Sequence, residues 1–426
     1  MSLALRDGSR VCIVGGGPAG SLAALHLLRL SHARGLSLDV TIFEPRDFRV
    51  RGPAGCNRCA GILSSRLLSG LSDLGLKLPA QVVRSYIRAY EVHLDGETFL
   101  IEAPSPSSEI VSVYRGAGPR LAAGQGGESF DGFLLEQACA RGARHQRSRV
   151  SQVTWQDTPV VHAGSQAHPA DLVVLATGVN SRPPLHAALG YRPPATMMMA
   201  QDEVPRPSEW PNDLVRIYFR HPPGLLFGAM IPKGEYLNIS LLGRGLTADA
   251  VAEFLEMQGL SRAAPSLRNS LCGCTPRISV SASRGFYGDR WVAVGDAAVT
   301  RLYKDGIGSA FVTAQAAMET AADHGISQAD FRRWYAPVCR EISRDNTFGR
   351  WLYRLWSRTL SSPRVLRAWR ETLEQEIDGV SRPRTHMRIL WGMFTGDESY
   401  EVLLRAALSA GSLGALWRAS RVRARA

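Results

Sequence analysis

The apolar positions of this chain fall into three textures. At Val11, Cys12, Ile13 and Val14 four apolar residues run together, glycines follow, and a helical pattern sets in over 21–29. An uninterrupted apolar run predicts a strand buried on both faces, as in a parallel sheet covered by helices. The same texture recurs over 38–43, over 171–178 and over 291–295. Between 183 and 282 short alternating runs predict strands over 196–203, 214–220 and 236–242, with a helix over 248–257. From 331 onward the pattern is helical and basic.

The connecting segments are also readable. A short helix is expected over 64–76, and a hairpin over 81–102 with Asp95 and Gly96 in its turn. Residues 103–128, rich in Pro, Ser and Gly, read as loop. A helix is expected over 129–141, with Ser129 or Asp131 at its cap and Gly142 ending it. Another begins near Gly308 and runs to about 322.

A chain of 426 residues buries a core easily and allows more than one domain. With 45% apolar and 21% charged residues it is globular in composition, neither disordered nor fibrous. The N-terminus leads straight into the first strand and leaves no room for a signal peptide, and no apolar run reaches spanning length. The expected location is cytoplasmic. Net charge is +12, and lysine occurs only at 77, 233 and 304, so the basicity is almost all arginine. No nucleic-acid-binding signature accompanies it, and no nucleic acid partner is expected. An anionic substrate or membrane surface suits the charge at least as well.

The sharpest chemistry lies after the first strand. Gly15, Gly17 and Gly20, with Pro18 and Ala19 between the last two, have the G-x-G-x-x-G spacing. Such glycines allow a tight turn, close approach of backbone to a diphosphate, and close packing of helix on strand. The helix N-terminus would carry the diphosphate on its outward N–H groups. The second strand ends in Glu44, placed to accept a hydrogen bond from a ribose hydroxyl.

Two further segments complete a constellation: Ala176, Thr177 and Gly178 after one buried strand, and Gly295 and Asp296 after another. With the fingerprint, they resemble the flavin-binding fold of the p-hydroxybenzoate hydroxylase type and, within it, the geranylgeranyl reductase family, over roughly residues 10–325. The resemblance implies an α/β fold: a Rossmann-like FAD-binding domain in three pieces (1–78, 106–182 and 283–330) with an inserted antiparallel-sheet substrate domain (79–105 and 183–282). A basic helical region, 331–426, would follow. It implies FAD as resident cofactor, with Asp296 on the ribityl chain and Gly306, Ile307 and Gly308 bringing backbone close to the ring. A helix starting there would turn its positive end toward the ring's N1–C2=O edge. The segment from Cys59 and Ala60 to Ser64 looks like the cysteine-bearing loop that passes over the flavin in prenyl reductases. A thiol with a pKa of about 8.5 is mostly protonated at neutral pH and could give a proton to substrate. The bland alternative is a small residue packed in a tight loop. The family's aromatic strand motif falls on Phe227, Ala229, Ile231 and Pro232, with Ala for Trp and Ile for Phe. The resulting wall is apolar but less bulky. Tyr303 stands where many relatives of this fold have proline.

Cys56 and Cys59, with Cys272 and Cys274, form a second grouping among seven cysteines. They could hold zinc or an iron–sulfur cluster, form a redox pair, or be unrelated. Near the C-terminus Arg350, Arg354 and Arg358 share a helix face opposite Trp351, Leu352, Leu355 and Trp356. That helix either rests peripherally on an anionic bilayer or docks on the protein with a solvated basic face. The leading functional expectation is an FAD-dependent reductase of a carbon–carbon double bond in a prenyl or other hydrophobic substrate. Cys59 or a water would supply the proton, and NAD(P)H, a protein donor or a quinol the electrons. A flavin monooxygenase and a non-catalytic, membrane-associated redox sensor are the alternatives.

Overall fold

The computed structural model describes residues 3–51, 60–94, 96–103, 108–119, 128–155, 157–185, 189–219, 224–260, 271–379 and 383–421. The chain divides into two compact units, each assembled from three separate segments.

Unit 1 comprises residues 1–83, 113–197 and 276–343. Its main sheet has the strand order Tyr287–Gly288, Trp291–Ala293, Leu172–Leu175, Arg10–Val14, Asp39–Phe43 and Arg144–Gln146. All neighbours are parallel except the short Tyr287–Gly288 edge. The central strands are buried almost throughout, which is why they read as unbroken apolar runs. Helices Pro18–Ala33, Phe130–Ala140 and Gly306–Asp323 pack within the same unit. Ser129 caps the second of these, its hydroxyl accepting the Gly132 N–H at 2.8 Å. A separate antiparallel sheet of three strands runs Gln166–Pro169, Pro159–Ala163, Val150–Trp155.

Unit 2 comprises residues 84–112, 198–275 and 344–426. Six neighbouring strands follow the order Thr196–Pro205, Tyr236–Gly243, Leu225–Lys233, Leu214–Tyr218, Ala89–Leu94, Glu97–Glu102. Leu94 pairs with Glu97, so the hairpin turn has two residues, as expected; Asp95 itself lies outside the described residues. Helix Ala250–Met257 sets Val251, Phe254 and Leu255 against one face, over Tyr218, Met230 and Leu241. The other face of the hairpin side meets later helices through Tyr90, edge-on to Trp391 at 5.4 Å, and Phe219, edge-on to Trp356 at 5.4 Å.

Three expectations need correction. The stretch read as loop over 103–128 contains a strand, Ile110–Val113, with all four residues buried; its apolar run is too short to stand out among Pro, Ser and Gly. The inserted sheet is not wholly antiparallel, since Leu214–Tyr218 pairs parallel with Ala89–Leu94. Pairing partners so distant in sequence leave no local trace of their direction. On helix Ala336–Ser361, Leu352 and Trp356 are buried, but Trp351 is 54% exposed, on the side of Arg354, whose guanidinium lies 5.3 Å from its ring.

Candidate functional site

The three expected segments of unit 1 meet at the carboxyl ends of its parallel strands, where open α/β sheets bind ligands. Gly15 has φ +107°, and a Cβ there would press on the Ala176 carbonyl; the turn after the first strand and the Ala176–Gly178 turn are in direct contact. Gly20 packs on the Gly15 carbonyl. Gly295, at φ +62°, lies against Ala19, with 2.7 Å from its Cβ position to the Ala19 methyl. The tight turn and the close packing of helix on strand that the glycine spacing predicts are both made.

The fingerprint helix Pro18–Ala33 begins at Gly17 with proline in its first turn, no side-chain cap and no acid in that turn. Its outward N–H groups and positive end are thereby left to an external anion. Glu44 is buried at 3% exposure; its Oε2 accepts the Gly16 N–H at 3.0 Å, and its Oε1 accepts the Arg46 backbone N–H at 3.0 Å and Nε at 3.1 Å. Arg46 NH2 also donates to Oε2, at 3.4 Å. About four lone-pair sites thus meet four protein donors, and a ribose hydroxyl would take the place of the long Arg46 contact. The Thr177 hydroxyl is buried with no hydrogen-bond partner among the described residues. An orphaned hydroxyl beside an open helix N-terminus fits a polar ligand lying across this turn.

Arg115 and Asp131, which sequence reading did not single out as a site pair, belong here. Arg115 Nε donates to Asp131 Oδ1 at 2.9 Å and its NH2 donates to Oδ2 at 2.8 Å, a bidentate pair beside Gly17. Burial raises the Asp131 carboxyl and Arg115 pulls it back down. The same guanidinium acts on Asp296, whose carboxyl burial raises, with Arg115 and a hydrogen bond from Thr300 opposing. Asp296 Oδ1 lies 3.7 Å from the Cβ position of Gly306, the first residue of helix Gly306–Asp323. Contacts thus join Arg115 to Gly17 and Asp296 to Gly306, and the charge of Arg115 reaches Asp296. Ile307 and Gly308 follow, buried. Half-buried Lys304 has its ammonium far enough inside that burial lowers its pKa to about 8.

In unit 2, Phe227, Ala229 and Ile231 are buried and share one face of their strand. Ala229 pairs with Ser240 and Ile231 with Asn238; these pair in turn with Gln201 and Glu203. Directly opposed residues point the same way, so a polar ladder flanks the apolar wall. Ser240 donates to Asn238 Oδ1 at 2.8 Å, Asn238 Nδ2 donates to Glu203 Oε1 at 3.4 Å, and buried Lys233 pairs with Glu203 at 3.1 Å. The Pro232 carbonyl accepts the Ser112 hydroxyl at 2.6 Å.

Cys56 and Cys59 lie outside the described residues; of the segment expected to pass over the flavin, Ala60 is half-buried, Ile62–Leu63 form a short strand and Ser64 caps the helix Ser65–Asp73. Cys272 is exposed and Cys274 half-buried. Their loop is held by Asp202 Oδ2, which accepts the N–H of Cys272 at 2.7 Å and of Gly273 at 3.0 Å. Among the described residues no cluster of three or more His, Cys, Asp or Glu could hold a metal.

A family model described as FAD-NAD(P)-binding matches residues 12–63. No curated protein sequence matches the chain. Among solved structures it is similar to a geranylgeranyl bacteriochlorophyll reductase-like protein from Thermoplasma acidophilum, with 15% identity and a TM-score of 0.63 over 97% of this chain and 99% of that one. It is also similar to the flavin-dependent halogenase CmlS, with 20% identity and a TM-score of 0.55 over 96% of this chain and 72% of that one. A third is 2-methyl-3-hydroxypyridine-5-carboxylic acid oxygenase, with 18% identity and a TM-score of 0.56 over 83% and 92%. Likeness at these identities establishes the fold: a Rossmann-type α/β architecture with an inserted sheet and C-terminal helices, shared with geranylgeranyl reductase-like proteins and flavin-dependent oxygenases.

Proposed function

We propose that this chain is an FAD-dependent oxidoreductase that reduces a carbon–carbon double bond of a prenyl-type or similarly hydrophobic substrate. The observation that carries the flavin part is the grouping of the uncapped helix at Gly17 with Arg115, Asp296 and Gly306, all within one compact unit. FAD, when bound, supplies two-electron redox chemistry. The helix N-terminus at Gly17 and the charge of Arg115 would hold its diphosphate, Glu44 a ribose hydroxyl, and Asp296 the ribityl hydroxyls. Thr177 offers a hydroxyl that has no partner among the described residues. Cys59 or a water would give the proton to the substrate carbon. Phe227, Ala229 and Ile231, at 2–3% exposure, would line a dry path for an apolar chain only once the groups now covering them are displaced by it. Likeness to a protein described as geranylgeranyl bacteriochlorophyll reductase-like supports this substrate class.

The polar ladder of Gln201, Asn238 and Ser240 favours a second reading, a flavin monooxygenase acting on a substrate with hydrogen-bonding groups. One anaerobic experiment separates the two. The holoprotein is photoreduced and mixed with prenyl substrates while flavin absorbance is followed. Reoxidation by substrate without oxygen is the expected result; reoxidation only on admitting oxygen, with hydroxylated product, would replace the reductase by the monooxygenase.

A further inference from the structure

Two long helices start at the candidate cofactor site, and their N-termini are treated in opposite ways. Helix Pro18–Ala33 is left without a side-chain cap. Helix Gly306–Asp323 carries a carboxylate of its own on the first turn: Asp305 Oδ1 accepts the Gly308 N–H at 3.2 Å and the Ser64 hydroxyl at 3.4 Å. The Asp305 backbone carbonyl accepts both N–H and hydroxyl of Ser309, at 2.9 and 3.0 Å. The carboxylate fills the space beside Gly308, where any Cβ would overlap both its oxygens. Asp305 has φ +54°, and Tyr303 two residues earlier has φ +67°. Side chains seldom adopt this conformation, and it persists only where the surroundings over-determine it. A second carboxylate, Asp296, lies 3.7 Å from the Cβ position of Gly306.

A bare helix N-terminus would stabilise negative charge on a group brought to it; a carboxylate seated there offsets the helix and adds repulsion. We infer that Asp305 tunes bound FAD, its carboxylate disfavouring the anionic reduced form so that the cofactor works as a low-potential electron donor. This rests on the flavin reading above, with the dinucleotide running from Gly17 past Asp296. Two electrons and one proton convert oxidised flavin to the anionic reduced form, and a second proton gives the neutral one. A negative neighbour penalises the first product relative to both the oxidised form and the neutral reduced form. A strong donor suits reduction of an isolated double bond, which needs more driving force than transfer to oxygen.

The test is a spectroelectrochemical titration, with dithionite supplying the electrons, of the wild-type holoprotein, Asp305→Asn and Asp305→Ala. Asparagine keeps an oxygen for the Gly308 N–H and removes only the charge. Asp305→Asn should hold reduced FAD about tenfold more tightly relative to oxidised FAD, a rise in midpoint potential of about 30 mV. Asp305→Ala should shift it in the same direction. A wild-type potential in Asp305→Asn would overturn the inference. So would a change confined to Asp305→Ala and accompanied by lower thermal stability, which would make Asp305 a helix cap and nothing more. A wild-type protein with no flavin absorbance after reconstitution would overturn the flavin reading itself, and is told apart because there is then no band to titrate.

Discussion

His26 lies at 1% exposure on the fingerprint helix, edge-on to Phe311 at 4.9 Å, and both its ring nitrogens lack a partner among the described residues. Burial, with a smaller contribution from Arg29, lowers its pKa to about 4. The unfolded chain therefore takes up a proton near pH 6.5 that the folded one refuses until about pH 4. Between those values this group should cost the native state about 1.4 kcal/mol of stability for each unit the pH falls. Urea denaturation across pH 4–7 should show a shallower acid limb in His26→Leu than in wild type; parallel limbs would refute the assignment. Arg115 and Asp131 make the opposite case at this scale. Glycine spacing is visible in a string of letters, but an arginine in a Gly- and Pro-rich loop acquires meaning only when the fold brings Asp131 and Gly17 to it.

At the scale of elements, the parallel strands and their helices were legible because each announces itself within a dozen residues: an apolar run, a glycine turn, a 3.6-residue period. Partnerships between elements were not. One such partnership ties three late helices, Pro363–Ile377, Thr385–Thr395 and Ala410–Ala419. Glu376 Oε1 lies 2.8 Å from His386 Nδ1, and the Ser412 hydroxyl lies 3.1 Å from His386 Nε2. Glu376 also accepts the backbone N–H groups of His386 and Met387. A carboxylate acceptor fixes the proton on Nδ1, so Ser412 donates to Nε2. The order is that of a hydrolytic Ser–His–carboxylate triad. Exposures of 2%, 1% and 1% for Ser412, His386 and Glu376 leave a substrate no approach, and the group is a clamp between helices. A fluorophosphonate probe should not label Ser412 in the folded protein. Glu376→Ala, which strips buried donors of their acceptor, should lower stability by about 3 kcal/mol or more in chemical denaturation. Labelling at Ser412, or an unchanged midpoint, would count against the clamp.

For the molecule as a whole, the charge of +12 meets a solvent-facing apolar set near the C-terminus. Leu408, Leu413 and Trp417 are each at least half exposed, with the Arg421 guanidinium 3.6 Å from the Trp417 ring. Among the described residues no helix is long and apolar enough to cross a membrane. We expect peripheral binding to vesicles containing phosphatidylserine, weakened by salt and lost in the double variant Leu413→Ser, Trp417→Ser. Equal flotation with neutral and anionic vesicles, or none with either, would exclude it. Deleting the last helix is the poorer test, because it removes Ser412 from the clamp. A different consequence follows from the interleaving of the units. The strand Arg10–Val14 needs Leu172–Leu175 beside it, and that strand needs Trp291–Ala293. At ribosomal speeds of about 5–20 residues per second, the first strand waits on the order of tens of seconds for its sheet to be completed. Through that interval it has Asp39–Phe43 on one edge and an open hydrogen-bonding edge on the other. An open edge on an apolar strand is a template for wrong pairing, so the yield of folded chain is expected to rise with chaperone supply during synthesis.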